Sequence, residues 1–184
     1  MKIAIHQPNF FPWYPYFQKI EESDLFVILK EVQFEKNNFQ NRFSINSEWY
    51  TMSVEKGLIP IKNKNYFNPL EDWWKIKSKL SYYKNILDLY DDCISSNLLE
   101  TNYKIIKKTC NLLDIKTKIV FDYQTSLKST ERLVDICKTF NASVYLSGTS
   151  GKNYLDLKLF KNIKVEFQKN HNKIHTLEIL SKKL

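Results

Sequence analysis

The sequence predicts an α/β fold: a mostly parallel, Rossmann-like sheet with helices on both faces and a small flap insertion. Three observations carry this. The N-terminal run MKIAI is continuously apolar, the pattern of a strand buried on both faces. A second such run, DLFVIL, follows at the distance a helical crossover between parallel strands requires. Towards the C-terminus, strand-like and helix-like stretches alternate as β-α-β-α-β. With 184 residues the chain is expected to form a single domain over 1–184.

The elements follow in order. After the first strand the loop HQPNFFPW breaks regularity, because each proline removes a backbone donor and fixes its own φ. YPYFQKIEESD then places Tyr16, Phe17 and Ile20 at helical spacing, and DLFVILKEVQF forms the second strand. NRFSI and EWYTMSVEK predict two short antiparallel strands turning at Asn46-Ser47, the flap. From LEDWW to CNLL the pattern is helical, with two helices broken near Ser95-Ser96. IKTKIVFDY is a strand, STERLVDICKTF a helix with a Ser or Thr cap, SVYLSG a buried strand, NYLDLKLF a short helix and IKVEFQ the last strand.

The formal charge of +8 raises a nucleic-acid reading. Lysines dominate, however: only Arg42 and Arg132 are arginines, and no dense basic block occurs. A general solvated surface accounts for this better than a polyanion groove does. Cys93, Cys110 and Cys137 show no ligand spacing and read as reduced, mostly buried thiols. No signal-like segment precedes the first strand and no run is long enough to span a membrane, so a soluble, cytoplasmic protein is expected.

Ligands of open α/β sheets bind outside the carboxyl ends of the strands, which directs attention to three loops. In HQPNFFPW, His6 is a candidate base beside Gln7, Asn9 and Trp13, although a structural histidine and a plain aromatic wall remain alternatives. In SGTSGKNY, Ser147, Gly148, Ser150, Gly151 and Tyr154 suit a phosphate or carboxylate cradle, or simply a serine-rich turn. In VQFEKNNFQNRF, Gln33, Gln40 and Asn41 are candidate ligand readers. Arg42 offers a fork of five donors to a carboxylate or phosphate, a plain salt bridge being the alternative. His171 and His175 have i,i+4 spacing but lack further metal-ligand partners.

HQPNFFPW, DLFVILxxVQFxK with QNR, and YLSGxSGxxYL together resemble the WbqC-like family, from Met1 to about Gln168. Two positions depart from the family's usual pattern, Glu31 for an aspartate and Pro15 for a glycine, and HNKIHTLEILSKKL is a shorter end than the family's. The family is associated with bacterial O-antigen and capsule gene clusters. The resemblance therefore implies cytoplasmic work on a nucleotide-linked amino sugar, with transfer of an acyl or aminoacyl group such as glycyl to its amine. It casts His6 as proton acceptor, the Ser147 to Gly151 amides as phosphate or oxyanion donors, Arg42 as an anion grip and Tyr154 as a sugar-hydroxyl contact. The donor would be a thioester, an activated amino acid or an aminoacyl-tRNA, the last being the sole route by which nucleic acid enters. No cofactor, metal or membrane insertion is implied, and a homodimer is one option. A looser likeness links the strand–loop–helix opening to HIGH-type nucleotidyltransferases, but this chain has no HxGH. Two other classes stay open: a non-catalytic module binding nucleotide sugars or a partner, and an RNA-binding protein.

Overall fold

The computed structural model describes residues 1–169 and 174–184. Its chain order opens with strand β1 (Lys2–His6), helix α1 (Tyr14–Glu21) and strand β2 (Leu25–Ile28). Strands β3 (Arg42–Ile45) and β4 (Glu48–Thr51) follow, then helices α2 (Pro69–Lys79), α3 (Lys84–Asp88) and α4 (Leu98–Leu113). The second half runs β5 (Lys118–Phe121), α5 (Ser129–Thr139), β6 (Val144–Ser147), β7 (Lys164–Phe167) and α6 (Thr176–Lys183).

Five strands pair in parallel in the order β5-β2-β1-β6-β7. This is the mostly parallel α/β arrangement the sequence predicts. Side-chain alternation divides the apolar strands between two layers. Ile3, Ile5, Leu25 and Val27 pack on one face with Val134, Ile136 and Cys137 of α5. Ala4, Phe26 and Ile28 pack on the other with Tyr16, Phe17 and Ile20 of α1 and Ile106 and Cys110 of α4. Full burial of such a side chain is worth about 1.5–3 kcal/mol, far more than an exposed ion pair, so these two layers hold the sheet.

The flap is a hairpin of β3 and β4, with Asn46 at φ 52° and Ser47 at φ 67°. Two successive positive φ values define the tight turn that matches strand twist, and asparagine tolerates that region well. The flap does not stand alone. Phe43 and Tyr50 join Phe10, Phe11, Trp73, Tyr90 and Leu177 in a third core built from the first loop, α2–α4 and α6.

Three local expectations differ from what is observed. The region read as two helices holds three, because tight 3-10 turns at 81–83 and 91–93 interrupt it before the break at Ser95-Ser96. Buried positions 73, 76, 80, 83, 87 and 90 keep one stripe through those turns, so the apolar period does not register the interruptions. NYLDLKLF holds a 3-10 turn at Leu157–Phe160, preceded by another at Thr149–Asn153, rather than an α-helix. Helix α5 starts without a side-chain cap; Thr130 Oγ1 instead accepts from the Asp156 amide at 3.2 Å. No described helix is long and apolar enough to cross a membrane.

Candidate functional site

The strand order reverses direction between β1 and β6: the chain leaves β1 towards β2 and β5 on one side, and β6 and β7 lie on the other. Such a reversal leaves a crevice at the carboxyl ends of the two strands, the usual ligand position in open α/β sheets. A crevice of about 670 Å³ opens there, lined by His6, Gln7, Gln33, Glu35, Gly148 and Tyr154 among others. A smaller cavity of about 160 Å³ adjoins it, sharing His6, Lys19, Gly148 and Ser150.

The irregular loop 7–13 forms one wall, and its backbone acceptors are satisfied by side chains instead of a neighbouring strand. Tyr16 Oη donates to the Gln7 carbonyl, Asn102 Nδ2 to that of Pro8, His175 Nε2 to that of Phe11 and Thr176 Oγ1 to that of Pro12. Phe11 sits at φ 42°, a conformation bulky residues rarely adopt. It is held there by stacking on Trp73 at 5.4 Å and by an edge contact with Tyr90. Phe10 and Phe11 are therefore buried anchors of the loop, and Trp13 is the aromatic that reaches the small cavity.

His6 ends β1. Its Nδ1 lies 3.0 Å from the Gln7 carbonyl, which can only accept, so the proton of the neutral ring sits on Nδ1. Nε2 makes no hydrogen bond among the described residues. The ring stands edge-on to Tyr16 with centroids 4.9 Å apart. Burial, then the charge of Lys19, lowers its pKa to about 3, and the bond to Gln7 opposes this only in part. The imidazole is neutral across the physiological range.

Lys19, on α1, reaches beneath the strand end and donates from Nζ to the Ile5 carbonyl at 3.0 Å. It is 2% exposed and has no carboxylate within ion-pairing distance among the described residues. Burial alone lowers its pKa to about 7. Sequence reasoning passed over it because a lysine in an amphipathic helix normally faces water. Its one signal is position: Lys19 lies beside Ile20 and three residues after Tyr16, on the stripe that packs against the sheet.

The remaining candidates fall into three groups. Gln7 lies at the centre of a polar chain at the crevice rim: Gln40 Nε2 donates to Gln7 Oε1 at 2.7 Å, and Gln7 Nε2 donates to Glu35 Oε1 at 3.3 Å. Gln40 is fully buried and also accepts from the Glu35 amide, so it supports the rim from behind. Gln33, Gly148, Ser150 and Tyr154 line the crevice itself. Ser147 and Gly151 lie beneath it: Ser147 is fully buried, and a Cβ at Gly151 would fall 2.0 Å from its hydroxyl, so glycine is needed for that packing.

Asn9 and Trp13 line a separate aromatic cleft of about 200 Å³ beside Phe39 and Trp49. Asn41 and Arg42 belong to the flap. The Asn41 side chain donates to the Met52 carbonyl, while the Met52 amide donates to the Asn41 carbonyl. Arg42 donates to the Asn37 carbonyl and stacks 4.2 Å above the Trp49 ring. The structure thus brings His6, Gln7, Gln33, Gly148, Ser150 and Tyr154 together and leaves Arg42 outside that group.

The second arginine borders the crevice. Arg132 pairs with the buried Asp122, whose other oxygen accepts from the Lys30 and Glu31 amides, tying the end of β2 to α5. Glu31 carries ion pairs to Lys30 and Lys62, and Pro15 occupies the first turn of α1. His171 lies outside the described residues, and His175 caps α6 by accepting from the Leu177 amide. Among the described residues no three histidine, cysteine, aspartate or glutamate side chains cluster as a metal site.

The chain is similar to the uncharacterized protein Rv1507c of Mycobacterium tuberculosis (strain ATCC 25618 / H37Rv). The two are 29% identical over 183 residues, covering 89% of this chain and 79% of that protein. No solved structure matches significantly. The WbqC-like family model matches residues 7–176, from the loop after β1 to the start of α6. It takes in every element that shapes the crevice beyond β1, and the chain belongs to the WbqC-like protein family.

Proposed function

We propose that the protein transfers an acyl or aminoacyl group to the amine of a nucleotide-linked amino sugar during bacterial surface-polysaccharide assembly. The observation that carries this reading is the state of His6: a neutral imidazole, its proton fixed on Nδ1 and its Nε2 lone pair unengaged, at the end of the central strand. In the reaction the sugar amine attacks the activated carbonyl and a C–N bond forms. His6 Nε2 accepts the proton the nitrogen loses, and the donor's leaving group departs with the electron pair of its bond. The crevice volume suits a ligand of nucleotide-sugar size, and Tyr154, Ser150 and Gln33 offer polar contacts at its edge. Domain organisation follows the same reading, with one domain spanning 1–184.

His6 is a weak base in the empty protein because burial and the Lys19 charge both disfavour imidazolium. An anion beside Lys19 removes the second of these effects, so substrate occupancy strengthens the base at the moment it is needed.

The test is mass spectrometry of a panel of nucleotide-linked amino sugars incubated with acyl-CoA, glycine plus ATP, or glycyl-tRNA. A mass gain on one sugar, lost with His6→Ala, is expected. Saturable binding of a sugar without mass gain from any donor would make the protein a binding module instead. Normal turnover by His6→Ala would remove His6 from the reaction.

A further inference from the structure

We propose that the small cavity at the sheet's reversal is a diphosphate site, with Lys19 as its buried anchor. The inference rests on the crevice being the substrate site of the proposed reaction, and it assigns the diphosphate that joins the nucleoside to the amino sugar.

The lining of the cavity is unusual for its charge. Lys19 and Lys169 border it with Thr149 and Ser150, and no carboxylate-bearing residue does so among the described residues. Lys19 is almost fully buried, yet a backbone carbonyl is its sole hydrogen-bond partner among the described residues. An ammonium group in that position is strongly disfavoured unless an anion joins it. Gly148 lines both the cavity and the crevice, and a Cβ built there meets nothing within 4 Å. The absence of a side chain leaves room at the mouth through which a chain of phosphate groups passes from one space to the other. A cavity of about 160 Å³ accepts phosphate groups but not a nucleoside or a sugar ring alongside them, so both ends of a nucleotide-linked ligand lie in the crevice.

Occupancy has a proton signature. Among the described residues, the titratable groups that line the two spaces with Lys19 are His6 on β1, Tyr16 on its own helix, Lys169 beyond β7, and Glu35, Arg132, Tyr145 and Tyr154 in the crevice. Of these, Glu35 alone carries negative charge at neutral pH, and it is engaged by Gln7 and Asn38. With burial lowering Lys19 to about 7, the empty site is partly deprotonated at pH 7.5. A bound anion favours the ammonium form, so binding draws a proton from the buffer.

The test is calorimetric titration of the whole protein with inorganic diphosphate at pH 7.5, in two buffers of different ionisation enthalpy, with orthophosphate, acetate and uridine diphosphate as further arms. Saturable diphosphate binding with net proton uptake is expected, and uridine diphosphate should bind more tightly while acetate does not compete. Lys19→Met should weaken diphosphate binding at least about tenfold, a loss of ~1.4 kcal/mol. Lys19→Arg, which stays charged, should bind without proton uptake. The wild-type uptake decides the matter even where a variant does not fold. Absence of diphosphate binding, binding without uptake, or equal affinity in Lys19→Met would overturn the assignment. None of these arms contains an acyl donor, so the proposed transfer can fail while the anion site stands, and the reverse.

Discussion

The flap and the crevice use polar side chains to opposite ends. In the flap, Asn41 completes a two-way bond with Met52, and Arg42 is divided between a backbone carbonyl and the Trp49 ring. Asn41 is committed to the fold, and Arg42 is held by it although its buried Nε has no hydrogen-bond partner among the described residues. At the crevice, Lys19 donates to a single backbone carbonyl and His6 holds a free lone pair. Polar chemistry that a protein leaves unsatisfied at the end of a central strand costs stability, and it is therefore the better guide to function than an arginine's rarity.

Four substitutions would sharpen or break that contrast. The largest effect belongs to His6→Ala, which should slow the proposed transfer by roughly 10²–10⁴-fold, the range for loss of a general base, while leaving the melting curve cooperative. Measured turnover of the modified sugar reads this directly.

Next comes Asn102→Ala. Asn102 is fully buried in α4 and donates to the Pro8 and Gln40 carbonyls while accepting from Tyr66 Oη. It joins the first loop to the flap. Stranding these three partners at ~1–3 kcal/mol per buried group should cost roughly 3 kcal/mol or more in denaturant unfolding. A loss below about 0.5 kcal/mol would mean the two regions are not coupled through this side chain.

A smaller, pH-dependent effect attaches to His175. Burial first, opposed in part by the bond to Phe11, lowers its pKa from the ordinary 6.5 to about 4. Between those values the unfolded chain takes up a proton that the folded one does not, so stability falls as pH falls through that window. His175→Asn keeps a cap acceptor without titrating, and should lose less melting temperature than wild type between pH 7 and pH 4.5. An identical acid limb in the two proteins would contradict the buried, neutral state of His175.

Arg42→Ala should be smallest: about 0.5–1 kcal/mol of stability from the lost ring contact and no change in turnover. A large loss of turnover would return the flap to the site.

Much of the architecture was legible because period-2 and period-3.6 patterns map directly onto buried faces. The five parallel strands and the Asn46-Ser47 turn follow from residue type alone. The breaks at 81–83 and 91–93 were not, since the buried stripe runs through them in phase. Helix α6 was also missed: its cap is a histidine, a residue seldom used there, and its apolar face is only Leu177 and Leu180. At the site, loop position identified His6, Gly148 and Ser150 as neighbours, since both loops must meet where the strand order reverses. Lys19 was hidden because its burial depends on how α1 lies across the sheet, which no local pattern states.

The account's central claim is that substrate lies at the reversal between β1 and β6. A crystal structure with a nucleotide-linked amino sugar tests it most directly. The account predicts the sugar amine beside His6 Nε2 and the diphosphate against Lys19 and the Gly148–Ser150 turn. A ligand seated in the aromatic cleft of Trp13, Phe39 and Trp49, with His6 and Lys19 uncontacted, would contradict it.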